Sequence, residues 1–146
     1  MSKILTINEQ DYTFEFAGEA IFCAECVTEL TGFLANISQA ENERDIRKLL
    51  GGFSRIPKLS LTLFYTGLIE HHGTGRRGDK RVPDMETAKE LLLGYINQHK
   101  DDEYGSMVGV INMCIQQMEE EGYLKAIGIN KVFGGQEQEE GDARSK

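Results

Sequence analysis

Two adjacent histidines stand directly before a basic, glycine-punctuated segment in IEHHGTGRRGDKR, residues 69–81. His71 and His72 could ligate zinc, but successive residues of a helix point about 100° apart, so one metal ion would rarely take both. At the end of a helix imidazole has a simpler use, because it satisfies last-turn carbonyls and suits the negative pole. We therefore predict a helix-end or surface position for both histidines.

Cysteines are the other candidate ligands. Cys23 and Cys26 form a CxxC that falls inside a predicted helix, where a spacing of three puts both sulfurs on one side. This spacing allows metal binding, but it equally allows two small residues packed under other elements, and we favour packing. A redox CxxC would instead be expected at a strand-to-helix turn. Zinc held by Cys23, Cys26 and His71 or His72 stays a remote alternative, and we expect no metal or cofactor.

The third cysteine, Cys114, lies in the apolar stripe of a predicted helix and is expected in the core. An odd number of cysteines at no disulfide-framework spacing fits a reducing compartment. Disulfides are not expected.

The basic segment itself has four cationic residues, Arg76, Arg77, Lys80 and Arg81. It lacks the GK[ST] ending of a phosphate-binding loop and follows a helix rather than a strand, so neither a P-loop nor a dinucleotide fingerprint fits. We predict a flexible, solvated loop, with a docking surface for an acidic partner as the alternative. No Ser-His-Asp or Cys-His set, paired catalytic carboxylates or HExxH pattern can be placed, which argues against an enzyme.

The composition limits the partners. The chain has 146 residues, 40% of them hydrophobic, and a formal net charge of −8, which opposes binding to nucleic acid. No apolar run approaches the roughly 20 residues that span a bilayer, and the start MSKILTINEQ lacks the features of a secretory signal. We expect a soluble, cytoplasmic protein without a membrane partner.

The elements that must position these residues follow from hydrophobic periodicity. Alternation over residues 4–7 and 12–16 predicts a β-hairpin. Apolar spacings of three and four then predict helices over residues 19–37, 46–53, 57–69, 84–96 and 106–118, with a short closing turn at 123–129. The fold class is α+β, mainly α: an N-terminal hairpin packed on about five helices, as one domain over residues 1–132. The acidic, apolar-poor residues 133–146 are predicted to be a disordered tail.

One methionine stands out as a candidate for partner contact. Met113 falls off the apolar stripe of the last long helix, so we predict that it is exposed. A flexible thioether at a surface suits adaptable contact with a helical client.

The first part of the chain, ILTINEQDYTFEFAGEAIFCAECVTEL, resembles the opening of tail assembly chaperones of long-tailed bacteriophages and prophages. In that family a short hairpin runs into a helix, and its pattern is matched here by Thr6, Ile7, Asn8, Tyr12, Phe14 and Phe16. The later stretches LTLFYTGLIEHHG, TAKELLLGYINQH and INMCIQQMEEEGYLKAIG also resemble family members. The resemblance covers roughly residues 3–130.

The resemblance implies no reaction. It implies a chaperone of virion morphogenesis that binds the long, helical tape measure protein, helps tail tube subunits polymerise, and is absent from the mature virion. It leaves homo-oligomer formation open, as well as a longer form made by ribosomal frameshifting. The alternative function is a structural phage component, a head-tail joining or tail-terminator protein.

Overall fold

A computed structural model describes residues 2–43 and 54–128 of the chain. The predicted architecture, a hairpin packed on helices in a mainly helical fold, is confirmed. The predicted helix at residues 46–53, the domain boundary at residue 132 and the tail at residues 133–146 lie outside the described residues. The described elements are, in chain order, β1 (Lys3–Ile7), β2 (Gln10–Phe14), a 3-10 helix (Gly18–Phe22), α1 (Ala24–Glu43), α2 (Ile56–His72), α3 (Met85–Gln98), α4 (Met107–Glu120) and α5 (Tyr123–Ile127).

The hairpin turns through only two residues. Asn8 and Glu9 have φ of 53° and 69°, the pair of positive values that a type I′ turn between antiparallel strands requires. Gln98 at the end of α3 holds this turn, since its Oε1 accepts the Asn8 N–H at 3.2 Å and its Nε2 donates to the Thr6 carbonyl. The turn is therefore tied to the helical part of the fold.

Helix α2 is the centre of the structure. It packs against β2, the 3-10 helix, α1, α3 and α4, and its buried residues lie on nearly every side. Gly67 allows β2 to approach α2 closely, because a Cβ at this position would lie 2.3 Å from the ring of Phe14. The Glu15 N–H also donates to the Gly67 carbonyl at 2.8 Å. The hairpin thus sits directly on the backbone of α2.

The predicted helix over residues 19–37 is two helices. Cys23 has extended backbone (φ −79°, ψ 95°) and ends the 3-10 helix, and α1 begins only at Ala24. The Cys23 N–H bonds to the Ala20 carbonyl three residues back, which is the hydrogen-bond pattern of a 3-10 helix. The first helix is therefore 3-10 and ends before α1 begins. The CxxC therefore does not lie inside one helix, as the periodicity predicted, but spans the start of α1.

Two predicted helix starts are confirmed by their caps. The Asp84 carboxylate accepts the Thr87 N–H at 2.9 Å, and the Ser106 hydroxyl accepts the Gly109 N–H at 3.0 Å. Over the described ranges, no helix combines the length and apolar character needed to cross a membrane.

Candidate partner-binding site

The segment after α2, residues 73–82 and here named the basic loop, folds back onto the end of that helix. Its Asp79, Lys80 and Val82 amides donate to the carbonyls of His71, Gly73 and His72 at 3.0, 3.1 and 2.7 Å. These bonds satisfy carbonyls that a helix end leaves without partners. The loop is largely exposed, as the prediction of a solvated loop requires, but its backbone bonds to the end of α2 and its Val82 side chain is buried.

His72 is the last residue of α2, as predicted for a helix end, but it is only 5% exposed. Its Nε2 accepts the Thr13 N–H at 2.8 Å, so Nε2 bears no proton. Nδ1 lies 3.1 Å from an Asp79 carboxylate oxygen and donates to it. Burial lowers the pKa of His72 and outweighs the opposing effect of Asp79. A neutral imidazole therefore joins α2, β2 and the basic loop.

His71 points to a different partner. Its Nε2 lies 2.7 Å from the Glu15 carboxylate, and its ring centroid is 6.4 Å from that of His72. Among the described residues, no group of three or more histidine, cysteine or acidic side chains is placed to hold a metal ion. The structure therefore does not bring the histidines and the CxxC together as the zinc hypothesis requires.

The four cations of the basic loop divide into two pairs. Arg81 bonds to Asp79 at 3.1 Å and to the Asp11 carbonyl at 2.7 Å, and its guanidinium lies 4.3 Å from the ring centroid of Tyr12. Arg77 bonds to Glu70 at 3.2 Å. Arg76 and Lys80 are exposed, and they make no ion pair with the side chains that the structure describes, those of residues 2–33 and 54–128. Of the four cations, only Arg76 and Lys80 are without a charged partner among the described side chains.

Glu70 is a structural carboxylate that the sequence analysis missed. It is buried near the end of α2, where its Oε1 accepts the Glu19 N–H at 2.8 Å and its Oε2 accepts from Arg77. A glutamate within the apolar run LIEHH gave no signal of this role, because its two partners come from the 3-10 helix and the basic loop. It connects the 3-10 helix to the basic loop.

Cys26 and Cys114 belong to the hydrophobic core, and Cys23 packs against it. Cys26 and Cys114 are fully buried, as predicted, and burial raises the pKa of both thiols. Cys23 is half-buried, and its Sγ accepts from the Thr66 hydroxyl at 3.6 Å. These contacts agree with the packing interpretation of the CxxC.

Met113 is not exposed, contrary to the prediction. It is 4% exposed, and its Sδ accepts from the Tyr95 hydroxyl at 3.4 Å. The prediction was wrong because α2 covers the apolar stripe of α4, while Tyr95 of α3 and Tyr104 of the following loop lie beside Met113.

A groove runs above this methionine. It consists of two adjoining cavities of about 250 and 160 Å³ that share Tyr104, Met113 and Gln116. Glu103 and Val108 line the first cavity, and Lys3 and Glu120 line the second. We name this feature the α4 groove. No motif in the sequence marked it, since its walls come from β1, the loop before α4 and α4 itself.

No protein-family model, no curated protein and no solved structure matches this chain. The function is therefore argued from the sequence and from the geometry of these two regions.

Proposed function

We propose that this protein is a non-enzymatic tail assembly chaperone of a long-tailed bacteriophage or prophage. It acts in the cytoplasm of the bacterial host, binds the tape measure protein reversibly and assists polymerisation of the tail tube. It leaves before the virion is complete.

The observation that carries this proposal is the hairpin whose sequence resembles the chaperone family. Asn8 occupies a left-handed turn position that asparagine tolerates well, and Tyr12, Phe14 and Phe16 are all buried. Phe14 and Phe16 pack edge to face at 5.2 Å, and Phe16 reaches Tyr123 of α5 at 5.6 Å. The family-like residues therefore act together, as one unit that fastens the hairpin to the helices.

The surface chemistry also suits reversible binding. In the basic loop, Arg76 and Lys80 are the cations that remain available to an acidic patch of a partner such as the tail tube protein. Arg77, Arg81 and Met113, which the sequence also suggested for partner contact, are engaged within the fold. Contacts through a few exposed charges are weak and release readily.

Co-expression with the tape measure protein encoded beside this gene tests the proposal. We expect the tape measure protein to move from the insoluble to the soluble fraction and to co-purify with this chain. A tape measure protein that is no more soluble with the chain than without it would overturn the proposal.

Mass spectrometry of purified virions separates the chaperone from the structural alternative. A chaperone is absent from the mature particle, whereas a head-tail joining or tail-terminator protein remains at a fixed copy number. Stoichiometric recovery from virions would contradict the proposed function.

A further inference from the structure

The α4 groove follows one face of its helix. Gly109, Met113, Gln116 and Glu120 line it at spacings of three and four residues, which is one side of an α-helix. From the first to the last of these residues the face is about 17 Å long, at a rise of 1.5 Å per residue. A length of three turns matches a second helix laid along α4 better than it matches a small molecule.

The groove has a net negative lining. Glu103 lies at one end and Glu120 at the other, against the single ammonium of Lys3. The ion pairs of the described residues involve other carboxylates, so neither glutamate is neutralised there by a cation. Burial raises the pKa of Tyr104, and the charge of Glu103, a hydrogen bond with Glu103 and the charge of Asp102 raise it further.

Apolar groups line part of the floor and rim of the groove. Met113 forms the floor, Tyr104 is half-buried beside it, and the neighbouring Val108 is 50% exposed. Such a surface suits long basic side chains, whose alkyl stems cover apolar groups while their charged ends stay at the carboxylates. The ring of Tyr104 adds attraction for a cation above its face.

We propose that the α4 groove is a docking site for a cationic amphipathic helix of a partner protein, with basic side chains reaching Glu103 and Glu120 at its two ends. Its apolar residues pack on Val108 and Tyr104. The assignment of this partner to the tape measure protein rests on the proposed function. The docking site itself is inferred from the charge and shape of the groove.

A synthetic peptide tests the groove without a known client. The probe is a fluorescent amphipathic helix of leucine and lysine, about 18 residues long, or about five turns. Its counterpart replaces every lysine with glutamate. We expect fluorescence anisotropy to show binding of the lysine peptide to the full chain, and at least about tenfold weaker binding of the glutamate peptide.

Matched variants separate the groove from the overall acidity of the chain. Glu103→Gln with Glu120→Gln removes both groove carboxylates, whereas Glu86→Gln with Glu90→Gln removes two exposed carboxylates of α3. Both double variants have the same net charge. We expect about tenfold weaker binding from the first and an unchanged dissociation constant from the second. Equal losses would show attraction by bulk charge and overturn the proposal, as would the absence of any binding.

A second pair of variants tests steric access. Val108→Lys places a bulky cation at the groove, and Leu93→Lys places one on α3 at a residue of similar exposure, 52% against 50%. Binding of the lysine peptide should fall only with Val108→Lys, while circular dichroism shows both variants folded. Unchanged binding by Val108→Lys would contradict docking in the groove.

Co-expression then distinguishes the two proposals. If the wild-type chain and the Glu103→Gln, Glu120→Gln variant solubilise the tape measure protein equally, the groove is not its docking site and the chaperone function stands. If the wild-type chain fails to solubilise that protein but binds the peptide through the groove carboxylates, the groove stands and the chaperone function fails.

Discussion

The basic loop and the α4 groove use charged residues in opposite ways. In the basic loop, Arg77 and Arg81 pair with Glu70 and Asp79, so half of the four cations make contacts within the fold. In the α4 groove, Glu103 and Glu120 have no cationic partner among the described residues and face an open cavity. The difference teaches that a dense charge cluster in a sequence can be internally satisfied, while two isolated acids can mark the surface left for a partner.

The largest effect should come from removing the histidine that joins the basic loop to the hairpin. His72→Ala leaves the Thr13 N–H and Asp79 without their partner and opens a cavity, which should lower the free energy of unfolding by about 3 kcal/mol. Urea denaturation measures this loss. His71→Ala is the control, with a loss of less than about 1 kcal/mol, because its contact with Glu15 is half-exposed. Equal losses would mean that His72 has no special role.

The same histidine should make stability depend on pH. Since the folded pKa lies below the ordinary 6.5, the unfolded chain takes up the proton first as pH falls. The stabilisation is therefore complete above about pH 6.5 and is lost below it, at about 1.4 kcal/mol per unit of pKa difference. Denaturation at pH 7.5 and pH 5 measures the change in the free energy of unfolding with pH, which His72→Gln should reduce. A slope that survives His72→Gln would assign the effect to other groups.

A smaller difference in stability is expected between variants of Arg81, which is bonded within the fold, and of Arg76, which is not. Arg81→Ala should lower the free energy of unfolding by about 1 kcal/mol, because it removes the contact with Tyr12 and the bond to the Asp11 carbonyl. Arg76→Ala should change the free energy of unfolding by less than about 0.5 kcal/mol. Thermal melts of both variants check this, and similar costs would contradict the division of the loop into two pairs.

The smallest effect on stability is expected in the groove. The Glu103→Gln, Glu120→Gln variant should unfold within about 0.5 kcal/mol of the wild-type chain, because these carboxylates support no described ion pair. Chemical denaturation provides the measurement. A loss above about 1 kcal/mol would show that the two glutamates are structural, as the carboxylates of the basic loop are.

Local periodicity was enough to predict the hairpin and the long helices. Alternation around Tyr12 and Phe14 and the capping residues Asp84 and Ser106 act over a few residues, so a linear reading detects them. The same reading placed Cys23 within a helix, because a 3-10 helix followed by an α-helix keeps the apolar spacing while changing the backbone. The difference decides where the CxxC lies.

The candidate sites depended on distant pairs and could not be predicted in this way. Arg81 was predicted to be available for a partner, and its bond to Asp11 of β2 was not foreseen because the two residues are 70 positions apart. Met113 was assigned to the surface because one stripe was taken as the whole buried face of α4. Lys3 and Glu120 line the same cavity of the groove, although they are far apart in the sequence. Each of these depends on how one element covers another.

The bonds along the outer side of β2 also protect the protein against unwanted association. An unpaired strand edge is a template for strands of other chains. Here the Glu15 amide is occupied by the Gly67 carbonyl, the Thr13 amide by His72 and the Asp11 carbonyl by Arg81. An incoming strand would have to displace all three, so the sheet cannot grow on that side while α2 and the basic loop stay in place. The outer edge of β2 is thereby closed to strands of other chains.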